Sequence, residues 1–180
     1  MANKIVNKQG QQDGAALVEF AVTISLFLVL VIGIMEFSLV IMNISRANEA
    51  TRQLSRIAIV SSPLPGVALT CPDDPPVVVD LGMIGVGGCG TDLTSTKCRM
   101  YNTAQSFLPG INADQIEVTY ACSLAGFDLR PETIPFITVA ITDFTHQFAM
   151  GAFLGINATL NIPDFEITRT GEDLYTERDL

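Results

Sequence analysis

Residues 15–44, AALVEFAVTISLFLVLVIGIMEFSLVIMNI, constrain this chain more than any other stretch. Only Glu19 and Glu36 are charged among these thirty residues, and the sixteen from 20 to 35 hold no ionisable group. At about 1.5 Å of rise per residue that run covers roughly 24 Å, and a further turn at each end spans a hydrocarbon core of about 30 Å. In lipid every backbone N–H and C=O must be paired within the segment. The β-branched residues Val18, Val22, Ile24, Val29, Val31 and Ile32 therefore do not turn it into a strand. Such a segment is a membrane-spanning helix.

Charge separates the two parts of the chain. Residues 1–61 carry five Lys or Arg against four acids, whereas residues 62–180 carry five against fifteen. The second part repels nucleic acid and anionic lipid, so a nucleic-acid partner is excluded. Its length suits one small domain with a modest core. Cys71, Cys89, Cys98 and Cys122 all follow the apolar segment and contain no C-x-x-C, and His146 is the single histidine. Zinc sites use close-set ligand pairs, so two disulfides in an oxidising compartment fit better. No catalytic, cofactor-binding or metal-binding residues are expected.

The polar residues 1–14, MANKIVNKQGQQDG, are either the cytoplasmic flank of a signal anchor or a leader that is removed. No small-residue cleavage site follows the apolar run, so the run stays attached. Lys4 and Lys8 before the helix are balanced by Arg46, Arg52 and Arg56 after it, and the positive-inside rule does not decide orientation. The cysteines and the short N-terminal tail place the later domain outside the cytoplasm.

Gly14 is followed by Ala15, Ala16, Leu17, Val18, Glu19 and Phe20, which puts a carboxylate fifth and an aromatic sixth after the glycine, ahead of an unbroken apolar helix. This pattern resembles the processing site of type IV prepilins, and its wording is similar to the Flp, or tight-adherence, branch. Gly33-Ile34-Met35-Glu36-Phe37 and the polar heptads beyond it resemble the TadE-like minor pseudopilins. The resemblance implies a cut between Gly14 and Ala15 by a prepilin peptidase, an inner-membrane location with one pass, and other pilins and pilus assembly proteins as partners. It implies a structural role in pili used for adhesion or biofilm formation, and no enzymatic one. A carboxylate at membrane depth costs about 2–3 kcal/mol unpaired, which makes Glu19 a functional candidate in its own right. After the cut it lies in the second turn of a helix whose free amine and dipole are positive, so a neighbour's amine is its natural partner, with Phe20 beside it as assembly contact. Glu36 is expected to snorkel to the outer interface.

Beyond the bilayer Ile44, Ala47, Thr51, Leu54 and Ala58 recur at three- and four-residue spacing, so the helix continues as an amphipathic stalk to Ser61, Ser62 and Pro63. The expected units are a leader at 1–14, the helix at 15–61 and an extracytoplasmic domain at 62–180. Within the domain, Val77 to Leu81 reads as a short strand amid Pro and Gly turn formers. Residues 85–90, GVGGCG, match G-x-G-x-x-G, but no helix starts at the last glycine and no acid follows at the required distance. A disulfide-pinned loop explains them better than a nucleotide site. A helix over 94–108 is expected, capped by Asp92, Thr94 or Ser95, with Cys98, Tyr101, Ala104, Phe107 and Leu108 on one face. Residues 115–122 alternate as a half-buried strand. Four cysteines allow three pairings; the one expected here joins Cys98 to Cys122 and Cys71 to Cys89.

Residues 130–135 read as a turn. Periodicity leaves 136–153 open between strand and helix, and the segment is expected to be exposed or partner-facing rather than a second span. His146 is expected to be an ordinary surface or interface histidine. A last strand at 158–170 is expected to pair with 115–122, ahead of a loose tail. The fold class is therefore α+β: a long helix, then a small disulfide-stapled domain with a helix packed on an antiparallel sheet. Two other functions fit less well. A bitopic protein with a ligand-binding or sensory ectodomain would keep residues 1–14, and an enzyme lacks any suitable cluster, with one histidine and scattered acids.

Overall fold

The computed structural model describes residues 9–67, 75–87, 89–90, 93–122, 135–153 and 155–171. One helix dominates it. Helix α1, Gln9–Val60, runs 52 residues without a break and stops where Ser61 and Ser62 lead into Pro63. It begins at Gln9, ahead of the expected start at Ala15, so the Gly14–Ala15 bond lies inside the helix. Its first half is exposed, and its last two dozen residues form the spine of the domain. There Ala47, Ala50, Thr51, Leu54, Ser55 and Ala58 are buried, which follows the expected stripe. The small residues among them let the sheet and the second helix approach the helix axis closely.

Strand β1 (Val77–Asp80), helix α2 (Thr96–Phe107), strand β2 (Ile116–Cys122), strand β3 (Pro135–Ile141) and strand β6 (Phe165–Thr170) complete the main layer. The sheet is antiparallel throughout, in the order β1-β2-β3-β6. Between β3 and β6 lie a short strand β4 (Thr145–Gln147), one helical turn α3 (Ala149–Phe153) and strand β5 (Thr159–Asn161), and β4 pairs with β5 as a separate ribbon. Alternation sends Ile116, Val118 and Tyr120 of β2 and Ile137, Val139 and Ile141 of β3 inward against α1 and α2. Their neighbours Glu117, Thr119 and Thr138 face outward, and Thr138 hydrogen-bonds Thr168 across the β3–β6 pair at 2.8 Å.

Ser95 caps α2, its hydroxyl accepting from the Cys98 N–H, and this cap places Cys98 in the first turn beside the glycine loop. Cys89 and Cys98 form a disulfide across a Cα–Cα distance of 5.2 Å. The loop at 85–90 is thus disulfide-pinned, but the expected Cys98–Cys122 and Cys71–Cys89 pairings are overturned. Cys122 is held in a disulfide as well, and Cys71 lies outside the described residues. The last strand also departs from expectation: β6 pairs with β3, because all seven residues of β2 are already in register with β3 on that side. The strand option for 136–139 is the one realised, and residues 137, 139 and 141 are core rather than exposed or partner-facing. The expected turn at 130–135 falls largely, and the loose tail all but its first residue, Gly171, outside the described residues.

Candidate functional site

Extending the buried stripe of α1 backwards by alternating steps of four and three gives Asn43, Val40, Glu36 and Gly33. These residues share one helix face and carry the domain's packing surface down into the apolar segment. Strand β4 meets them there. Its pleat turns Thr145 and Gln147 outward and His146 inward. Asn43 Nδ2 hydrogen-bonds His146 Nδ1 at 2.8 Å. His146 Nε2 sits 3.8 Å from Glu36 Oε2, and the edge of the imidazole meets the Phe148 ring with centroids 5.2 Å apart.

The second carboxylate oxygen has a firmer partner. The N–H of Met150, in the first turn of α3, donates to Glu36 Oε1 at 2.8 Å. Glu36 and His146 are 7% and 9% exposed, so both are taken out of solvent within this one chain. Glu36 does not snorkel but is buried, and of the two options for His146 the interface one is realised, within the chain, between β4 and α1. Glu36 Oε2 and His146 Nε2 face each other across that 3.8 Å, and neither has a hydrogen-bond partner among the described residues. The pair acts as a clasp that fastens the β4–α3–β5 unit to α1. The sequence signal for it was the same 3.6-residue period that marked the stalk, continued two turns further towards the N-terminus.

A short turn positions the clasp. Asp143 adopts a positive φ of 52°, which an aspartate tolerates better than most residues, and redirects the chain from β3 into β4. Gln115 donates to the Asp143 carbonyl at 2.7 Å, and Asp164 accepts from the Asp143 N–H at 3.3 Å. Ile162 N–H to Phe144 O and Phe148 N–H to Ala158 O close the ribbon. Gly151 is required where α3 crosses β5, since a Cβ there would stand 2.7 Å from the Ile156 carbonyl oxygen.

The other expected site residues lie elsewhere. Gly14, Ala15, Glu19 and Phe20 are helical and exposed, and Phe20 retains 65% of its accessible surface. They are more than ten residues from the clasp on the same helix and do not join it. Among the described residues, no group of three or more His, Cys, Asp or Glu side chains is placed to hold a metal ion.

One helix of the described chain is long and apolar enough to cross a membrane, and it continues unbroken as the core of an α+β domain closed by a disulfide. This architecture fits a single-pass membrane protein whose apolar helix runs without a break into its domain. Residues 14–56, the helix and not the domain that follows it, match the family model described as TadE-like protein, which supports a TadE-like protein of the tight-adherence pilus system. No curated protein and no solved structure matches it.

Proposed function

We propose that this chain is a minor pilin-like structural subunit, cut between Gly14 and Ala15 by a prepilin peptidase and needed to assemble tight-adherence pili for adhesion or biofilm formation. The observation that carries the reading is the bare first half of α1. Leu17, Val18, Phe20, Val22, Leu26, Phe27 and Leu30 each keep half or more of their surface exposed, beside Glu19. That surface suits lipid first and other pilin helices after extraction into a fibre, where van der Waals packing and a buried ion pair replace lipid contact. Glu19 is exposed, and a neighbouring subunit's new α-amine supplies the charge it requires. The helix crosses the inner membrane once, with the domain at 62–180 on the periplasmic side, where its disulfides form.

The test is the N-terminus of the protein recovered from cells with and without the prepilin peptidase. A chain starting at Ala15 only when the peptidase is present supports the reading. Retention of Met1 or Ala2 in peptidase-competent cells refutes it and leaves an anchored ectodomain with a ligand-binding or sensory role.

A further inference from the structure

Residues 144–163 contain no Asp, Glu, Lys or Arg, although residues 62–180 contain twenty such residues in all. The structure gives that gap a location. The segment builds β4, α3 and β5, which reach along α1 to Glu36 in its apolar half. Between this unit and the helix runs a groove of about 490 Å³, lined by Gly33, Phe37, Phe148, Met150, Ile156 and Leu160 among others. Gly33 leaves the helix side of the groove open, since nothing lies within 4 Å of where its Cβ would be. Glu36 is the single charged residue of its lining, and that carboxylate already accepts the Met150 N–H. Ile156 and Leu160 remain 59% and 41% exposed on the outer wall.

Depth follows from helix geometry. Glu19 and Glu36 are seventeen residues apart, or about 25 Å along the axis, close to the thickness of a hydrocarbon core. With Glu19 at one boundary, Gly33 and Phe37 straddle the other. The groove and its apolar wall therefore continue the lipid-facing surface of α1 without a charged gap. We propose that the β4–α3–β5 unit is seated in the bilayer face on the domain side and that a phospholipid acyl chain occupies the groove. The clasp makes this possible. It pairs one Glu36 carboxylate oxygen with the Met150 N–H and holds Glu36 and His146 at 7% and 9% exposure, which cuts the polar surface the unit presents to lipid. Among possible occupants, an acyl chain needs no polar partner, and the groove offers almost none.

The inference rests on α1 spanning the membrane, and the experiment separates the two. The chain has no tryptophan, so single substitutions report one site each. Ile156→Trp, Leu28→Trp and Val60→Trp replace residues that are 59%, 51% and 56% exposed, positions where the larger ring does not disturb the core. Leu28 lies midway between Glu19 and Glu36, and Val60 lies about 36 Å beyond Glu36 along the helix. Each full-length variant is reconstituted in phosphatidylcholine vesicles whose acyl chains are brominated either near the headgroup or near the bilayer centre.

The expected result is that Ile156→Trp loses several times more emission than Val60→Trp, and most with the shallow bromine, while Leu28→Trp is quenched most by the deep one. If Ile156→Trp behaves like Val60→Trp while Leu28→Trp is quenched, the unit lies in water and the proposal fails, with the spanning helix intact. An unquenched but blue-shifted Ile156→Trp whose shift grows with protein-to-lipid ratio would mean that a second copy covers the groove, which also overturns it. If Leu28→Trp is not quenched either, both the spanning helix and the seated unit are wrong. Leu160→Trp, on the same wall, must follow Ile156→Trp for the proposal to hold.

Discussion

Removing the Glu36 carboxylate should open the clasp without unfolding the domain. Glu36→Ala deletes the 2.8 Å acceptor of the Met150 N–H and the oxygen 3.8 Å from His146 Nε2, leaving the Met150 N–H without its partner. A hydrogen bond to a charged group contributes about 1.5–3 kcal/mol, and an orphaned buried donor adds a cost of similar size. Taking about 2 kcal/mol as the net loss, the equilibrium for local opening of β4–α3–β5 rises about 30-fold, since about 1.4 kcal/mol corresponds to a factor of ten. Hydrogen exchange of the purified full chain in lipid reads this directly. Amides of residues 146–160 should exchange about 30-fold faster in Glu36→Ala, while those of α2 and of β2–β3 keep their rates. Glu36→Gln keeps an acceptor for Met150 but loses the charge, and it should fall between the two, because charge-assisted bonds are about twice as strong as neutral ones. Equal exchange in Glu36→Ala and the parent chain would refute the clasp. A uniform acceleration across the sheet would show that Glu36 supports the whole domain instead.

Four other perturbations have defined outcomes. Gly151→Ala should loosen the ribbon much as Glu36→Ala does, because its Cβ would lie 2.7 Å from the Ile156 carbonyl oxygen and 2.9 Å from the Ala158 Cβ; faster proteolysis near residues 149–158 with an unchanged α2 checks it. Replacing Cys89 and Cys98 together by serine opens a crosslink between residues nine apart, which the loop-entropy relation values at about 2–3 kcal/mol, read as a lower denaturant midpoint of the domain. Burial lifts the Tyr120 phenol above its ordinary pKa of 10.0, only partly offset by the Leu64 N–H that donates to it, so its contribution to stability is complete below about pH 10 and fades as pH rises through the folded value. Tyr120→Phe should abolish that alkaline loss while lowering stability near neutrality by about 1–2 kcal/mol, through the unpaired Leu64 N–H. Glu19→Ala should leave membrane insertion intact and reduce co-purification with pilus components; unchanged incorporation would remove Glu19 from the assembly contact.

Periodicity carried much of this fold. The stripe through Ala47, Thr51, Leu54 and Ala58, the alternation of Ile116, Val118 and Tyr120, and the cap-to-proline span of α2 are local patterns that burial then uses as they stand. The pairings were not local. Which strand sits beside β2 depends on where the chain returns after residues 123–134, and a seven-residue register with β3 wins that position over β6. Disulfide partners are likewise a matter of distance in space, set here by the α2 cap that brings Cys98 to the glycine loop. The clasp was missed because Glu36 was weighed as an isolated charge at an interface. Its partners, His146 and the Met150 N–H, lie more than a hundred residues away, and neither a lone histidine nor a backbone amide marks itself in a sequence.

The two acids of the apolar segment end in opposite situations, and the contrast bears on how the subunit joins others. Both carry the same cost of placing a carboxylate at the edge of lipid. Glu36 meets that cost inside its own chain, with a backbone donor at 2.8 Å and an imidazole behind it, and is 7% exposed. Glu19 lies seventeen residues earlier, on a different helix face and fully in the exposed stretch. A buried acid with a backbone donor is less available to a neighbour than an exposed one, so under the proposed function Glu19 is the acid that a neighbouring helix would pair. The domain's hold on α1 through Glu36 also fixes the angle at which that free end is presented. Loosening the clasp should therefore weaken incorporation even though Glu36 is buried within its own chain, whereas Glu19→Ala should weaken it with the clasp intact. Exchange at residues 146–160 tells the two failures apart: accelerated in the first variant, unchanged in the second.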